Sequence, residues 1–269
     1  MSTVETSVRS SWRQRLPGGR RLRDGHHLYW WLEILAIIAF YLVYSAIRNA
    51  NEGSTADAHR HALDLIEWQR TLGINHEEVL QDWALHFRPL VIAMNYFYGS
   101  LHFIVTAGVG IFLFTRWSDD YPRWRNTLAI TTGLALVGFI LWPLEPPRLL
   151  GPEYGFVDTL AEYPTFWSFN SGAVSKISNQ YAAMPSVHCA WALWCACAMV
   201  PRVKAMWAKV LFALYPVGTV TAIVLTGNHY FLDAVGGFAT LGIGYALARV
   251  VTRAGRGEPV PAAVPEAVA

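Results

Sequence analysis

Apolar residues gather along the chain in six long runs, at about 28–47, 90–114, 126–143, 185–200, 210–226 and 229–248, parted by polar, Gly- and Pro-containing stretches. A helix needs roughly 20 apolar residues to cross the hydrocarbon core of a bilayer. The pattern therefore predicts an all-α polytopic membrane protein, a six-transmembrane-helix bundle over residues 28–250. The first run follows an arginine-rich start, as a secretory signal would. It is longer than the 7–15-residue apolar core of such a signal, and five more runs follow, so a retained helix is expected. Residues 1–27 are then an N-terminal tail. Residues 251–269, which include the Pro- and Ala-rich GEPVPAAVPEAVA, are expected to be a disordered tail.

Two polar intervals are long. In 48–89, Ala58, Ala62, Leu65, Ile66 and Leu72 recur at helical spacing, which predicts an amphipathic helix lying flat on the membrane. Interval 144–184 holds LEPPRLLGPEYG and then an aromatic stretch with Tyr163, Phe166, Trp167 and Phe169. Loops of that length are commonly lids or binding loops.

Charge adds an orientation. With the N-terminus inside, 15 of the 21 Lys and Arg residues fall in the N-terminal tail, the 115–125 and 201–209 loops and the residues after 248, against six in the two long intervals. Basic residues favour the cytoplasmic side, so both termini are expected in the cytoplasm and 144–184 outside. Composition agrees with a membrane protein: 54% hydrophobic and 15% charged, where a soluble domain carries about 25% charged. The three cysteines, Cys189, Cys195 and Cys197, share one apolar run. That spacing offers neither a zinc site nor a disulfide framework and marks them as small packing residues.

The candidate chemistry lies at the outer ends of the runs. The fourth begins YAAMPSVHCAW and the sixth GNHYFLDAVGG, which places His188 and His229 at one level. Asp233 follows His229 by four residues, on the same helical face. A carboxylate there can hold the imidazole Nδ1–H and leave Nε2 as a nucleophile. A charge inside a span is costly and marks function. Arg148, just past the third run, is suited to bidentate phosphate binding. Pro185 and Ser186 fit a helix start whose free N–H groups attract anions.

These residues resemble the type 2 phosphatidic acid phosphatase superfamily. Met184–His188 is similar to its Pro-Ser-Gly-His motif, and Gly227–Gly237 to its third motif, with His and Asp four apart. EPPR (Glu145–Arg148) and NYFYGSLH, with Asn95, Tyr98 and His102, further resemble the branch of inositolphosphorylceramide and sphingomyelin synthases. The resemblance covers about residues 60–245. It implies a membrane lipid phosphotransferase or phosphatase working through a phosphohistidine on His229. Asp233 would orient that ring, His188 would serve as acid and then base, and Arg148 would bind phosphate. Ser186 and Asn228 are further candidate substrate-binding residues, and Asn95, Tyr98 and His102, which share a helical face, either bind the headgroup or form a buried hydrogen-bonded cluster. It implies no metal or other cofactor, and membrane lipids as partners, a phosphate donor with an alcohol or polyol acceptor, but no nucleic acid. The superfamily's Lys-x6-Arg-Pro element is absent, with Leu141 and Leu149 at its Lys and Pro positions. Ile223 stands where soluble-type members carry an arginine before the third motif. Fewer cationic groups favour the transferase branch. A plain lipid phosphate or polyprenyl diphosphate phosphatase, and a non-catalytic lipid-binding or transport protein, remain the alternatives.

Other residues have blander readings beside functional ones. His59, His61, His76 and His86 are candidate metal ligands or surface residues of the outer segment. His26 and His27 are expected at the cytoplasmic interface. Lys176 and Asn179 are candidates for reaching the phosphate from the long loop.

Overall fold

A computed structural model of the chain describes residues 19–50, 54–163 and 181–255. The aromatic stretch beyond Tyr163, together with Lys176 and Asn179, lies outside them.

The helices follow the apolar runs. They are α1 (Trp30–Ala50), α2 (Thr55–Thr71), α3 (Glu77–Leu85), α4 (Arg88–Tyr96), α5 (His102–Arg116), α6 (Tyr121–Leu141), the short α7 (Thr159–Glu162), α8 (Val187–Met199), α9 (Met206–Leu225) and α10 (Phe231–Gly255). A π-helical turn, Phe97–Leu101, joins α4 to α5, so Arg88–Arg116 forms one continuous rod. Among the described residues five helices are long and apolar enough to cross a membrane: α1, α4–α5, α6, α9 and α10. They mark the chain as a membrane protein. The fourth apolar run is shorter than expected as a helix, because Pro185 and Ser186 stay outside it and α8 has 13 residues. At 1.5 Å per residue that is about 20 Å, less than a bilayer core of about 30 Å.

Two ends of the chain differ from expectation. Part of the supposed N-terminal tail is a hairpin, with β1 (Gly19–Arg21) antiparallel to β2 (His27–Tyr29) and Arg20 opposite Leu28. His27 is thus a strand residue whose ring stacks on Tyr29. At the other end α10 continues to Gly255, five residues into the stretch expected as a tail.

Helices α5, α6, α8 and α10 meet in a core that includes Val109, Leu113, Trp124, Ala190, Trp194, Cys195 and Leu241. Buried Trp194 satisfies its ring N–H on the Trp124 carbonyl at 2.9 Å. Small residues set the closest approaches, as they do between membrane helices. A Cβ on Gly244 of α10 would run into Thr131 of α6, and one on Gly237 into the Ser186 carbonyl. The Gly-Gly pair after Asp233 thus lets the start of α8 lie against α10. By contrast α1 buries almost none of its spanning stretch. It is tied at one end, where Arg125 meets Glu33 at 2.6 Å.

The 48–89 segment corrects the sequence reading. Ala58, Ala62, Leu65 and Ile66 of α2 do form one face, but protein covers it: Leu144, Leu150, Ala183 and Tyr230 pack against it. Leu72, expected on the same face, is 62% exposed. Helices α2 and α3 therefore sit as a cap over the ends of the spanning helices.

Candidate active site

The site forms where α5, α8 and α10 reach that cap. His229 precedes α10 by two residues, and its Nδ1 lies 3.1 Å from Asp233 Oδ2 in the first turn. The same oxygen accepts the Tyr230 N–H at 3.0 Å. Asp233 is completely buried and its Oδ1 has no partner among the described residues. The carboxylate thus fixes Nδ1 as the protonated nitrogen and leaves Nε2 of His229 with its lone pair.

His188 stands in the first turn of α8, with its ring centroid 5.7 Å from that of His229. It is held by rings. Tyr98 stacks on it at 4.3 Å and His102 meets it edge-on at 4.2 Å. His188 Nδ1 is buried and unpartnered among the described residues. The π-turn gives this grouping its local cause. An extra residue in one turn shifts the helix face, and such turns recur at functional sites. Here Tyr98 lies within the turn and His102 follows it, with His102 Nδ1 on the Tyr98 carbonyl at 2.9 Å.

Arg148 lies within a 3-10 turn, Pro147–Leu149, and its backbone N–H is bound to the Gly227 carbonyl at 2.8 Å. Its guanidinium donates from Nε to Asn228 Oδ1 at 3.0 Å and from Nη1 to Asp158 at 2.9 Å. Two of its five N–H donors are engaged in these bonds. The backbone bond to Gly227 holds Arg148 beside the segment that carries His229. Gly227 makes the approach possible. It has φ +65°, and a Cβ there would lie 2.6 Å from Gln81 Nε2 and 3.4 Å from Arg148 Cβ.

Three residues read as substrate-binding have partners within the protein. Ser186 is fully buried, and its hydroxyl accepts the Cys189 N–H as the N-cap of α8. Its own N–H donates to the Asp233 carbonyl at 2.9 Å. The N–H groups of Val187 and His188 have no acceptor among the described residues, and free N–H groups at a helix start are the kind that attract anions. Asn228 splits its amide between Arg148 and Thr226 Oγ1, the latter at 2.8 Å. Asn95 uses both ends of its amide on Thr159, taking its hydroxyl at 3.0 Å and giving to its carbonyl at 2.9 Å. It braces the loop that carries Asp158.

The histidines of the 48–89 segment are dispersed. His59 Nδ1 meets Glu145 at 2.7 Å, His61 bonds the Pro143 carbonyl and stacks on Trp142, and His86 bonds the Asp82 carbonyl. Among the described residues no three His, Cys, Asp or Glu side chains are grouped to hold a metal ion.

Sequence reasoning missed Gln69, Glu77 and Gln81. All three are buried polar residues of the cap. Glu77 Oε1 accepts the Phe231 N–H at 2.8 Å, and Gln69 Oε1 accepts the Leu232 N–H at 3.1 Å. Gln69 Nε2 also donates to Glu77 at 2.7 Å. Gln81 bonds both backbone groups of Val157, next to Asp158. The signal was present: Gln69 continues the Ala58–Ala62–Leu65 stripe, and a polar side chain on an apolar face needs a partner. Burial pushes the Glu77 carboxyl above the ordinary carboxylate range. It pushes the Tyr230 hydroxyl up as well, so that group stays a donor to the Glu145 carbonyl at 3.1 Å.

A sequence model described as "PAP2 superfamily" matches residues 63–247. No curated protein and no solved structure matches the chain significantly.

Proposed function

From its membership of the PAP2 superfamily, to which this chain belongs, we propose that the protein is a lipid phosphotransferase. It would act on a lipid phosphate or phosphodiester through a phosphohistidine, without a metal. The observation that carries the reading is His229, held by buried Asp233 at Nδ1 with its ring 5.7 Å from that of His188. In the first step Nε2 of His229 attacks phosphorus. The bond from phosphorus to the leaving oxygen breaks, and that oxygen takes a proton from His188. In the second step the acceptor hydroxyl gives its proton to His188, its oxygen attacks phosphorus, and the phosphorus–nitrogen bond breaks. General acid–base help of this kind is worth roughly 10²–10⁴-fold. The donors for the phosphate oxygens are the Arg148 guanidinium and the N–H groups of Val187 and His188, with Tyr98 and His102 beside them.

The finer reading is a transferase of the inositolphosphorylceramide or sphingomyelin synthase kind, with an alcohol or polyol acceptor. Leu141, Leu149 and Ile223 in place of cationic and proline positions favour it, as does the EPPR element. The topology proposed with it has six spans, α8 being the short fourth one, both termini in the cytoplasm and the site outside. The test is purified protein given a labelled phospholipid with and without inositol or diacylglycerol. An acceptor-dependent phospho-product that persists in EDTA is expected, along with inhibition by vanadate. Release of free phosphate or phosphorylated headgroup alone, across a broad acceptor panel, would make it a hydrolase. Activity lost in EDTA and restored by a divalent metal would overturn the metal-free mechanism.

A further inference from the structure

The first N–H groups of a helix have no partner inside it, and the start of α10 is partly buried. Three successive backbone donors at its entry go to side chains. Tyr230 N–H goes to Asp233, Phe231 N–H to Glu77 and Leu232 N–H to Gln69. Two of these acceptors come from the cap, more than 150 residues away in sequence. The Gln69–Glu77 bond ties them into one unit.

We propose that Glu77 and Gln69 are positioning residues that reserve Asp233 for His229. The N-terminus of a helix attracts the nearest anion through unpaired N–H groups and its partial positive charge. Asp233 is the carboxylate on that first turn. Its Oδ2 already serves both Tyr230 N–H and His229 Nδ1, while Oδ1 has no partner among the described residues. With Glu77 and Gln69 in place, the next two donors are satisfied and make no claim on Asp233. Without them, Phe231 and Leu232 N–H are left part-buried and unpaired, and turning Asp233 towards them is the local remedy. That turn releases Nδ1 of His229, and the ring loses both its tautomer and its aim. The cap therefore acts on the catalytic pair through the helix N-terminus and touches no substrate.

This inference rests on the proposed role of His229, so its test includes a readout that needs no turnover. Wild type, Glu77→Leu, Glu77→Gln and Gln69→Leu would be placed in nanodiscs with ¹⁵N-labelled histidine. Turnover of a short-chain phosphatidic acid would be measured per folded molecule, and the His229 signals assigned by their loss in His229→Gln. For Glu77→Leu, kcat is expected to fall about tenfold or more with KM within about twofold, and His229 to pass from the Nδ1–H tautomer to a mixture. Glu77→Gln keeps an oxygen for Phe231 N–H and is expected to bring kcat back to within a few-fold and restore the tautomer. Gln69→Leu is expected to move both readouts in the direction of Glu77→Leu. A wild-type kcat and His229 spectrum in the folded Leu variants would overturn the proposal. So would loss of the fold in both, which would make the contact structural only. A wild-type protein that turns over no lipid phosphate would refute the functional reading, and the His229 spectra would still decide the positioning role.

Discussion

Asp233 carries more than its neighbours at the residue scale because one buried oxygen serves two donors. Asp233→Asn is nearly isosteric, but it puts an amide where the imidazole needs an acceptor and removes the charge that stabilises an imidazolium. Loss of the matching carboxylate in a serine-protease triad costs roughly 10⁴ in kcat. A fall of at least about 10²-fold is expected here, with little change in melting temperature, checked by turnover and thermal unfolding of the same preparation. Arg148 is restrained differently, since Asp158 holds one end of its guanidinium. Removing that partner as Asp158→Asn frees donors for phosphate but loosens their aim, so KM for the lipid phosphate is expected to change more than kcat. Titration of initial rates against substrate tests this. At this scale the fold brings together three residues that the sequence singles out, His188, His229 and Asp233. His188, His229, Asp233 and Arg148 were picked out because their chemistry is rare in apolar surroundings. The sequence leaves Asn95 between a headgroup ligand and a buried hydrogen-bonded residue, and Ser186 between a ligand and a helix start, because a polar side chain names no partner. The partners, Thr159 and the Cys189 N–H, come from chain separations or cap geometry that one-dimensional spacing does not encode.

Elements meet here through glycine. Gly237 lets the Ser186 carbonyl rest on α10, and the Ser186 N–H bond to the Asp233 carbonyl fixes the level of α8. Gly237→Val must move backbone, since the obstructing atom is a carbonyl oxygen rather than the end of a flexible side chain. It is expected to part His188 from His229, cost roughly 1–3 kcal/mol as overpacking does, and lower kcat by more than tenfold. Thermal unfolding together with turnover checks it. Glu77 supplies a pH dependence at this scale. Its carboxyl is raised in the fold, so the stability it contributes is fully present below its unfolded value and is lost as pH rises through the folded one. Glu77→Gln does not ionise. The melting temperature of wild type relative to Glu77→Gln is therefore expected to fall as pH is raised through and above the ordinary carboxylate range. A difference that is flat with pH would contradict the assignment. The helices themselves were legible as apolar runs to within a few residues at most ends. The fold of 48–89 was not, because an apolar stripe says that a face is covered but not by what. Tyr230 and Leu144, which cover it, lie far along the chain.

Across the whole molecule, polar chemistry separates to two ends. One end holds the ion pairs Arg125–Glu33 and Arg202–Asp120 and the Asn126–Thr252 bond. The other holds the histidines, Arg148 and the cap. The proposed orientation puts the first end in the cytoplasm. In a cysteine-free background, an impermeant thiol reagent is expected to modify Glu153→Cys in intact cells and to miss Lys204→Cys; the reverse pattern would move the site to the cytoplasm. The central claim is the phosphohistidine on His229, and trapping it is the most direct measurement. Purified wild type, His188→Ala and His229→Ala would be mixed with a phosphate-labelled lipid donor, quenched and digested. An acid-labile phosphate on the peptide bearing His229 is expected, building up in His188→Ala, where the acceptor is no longer activated, and absent in His229→Ala. Turnover by wild type with no such label even in His188→Ala, or with the label on another residue, would contradict the account.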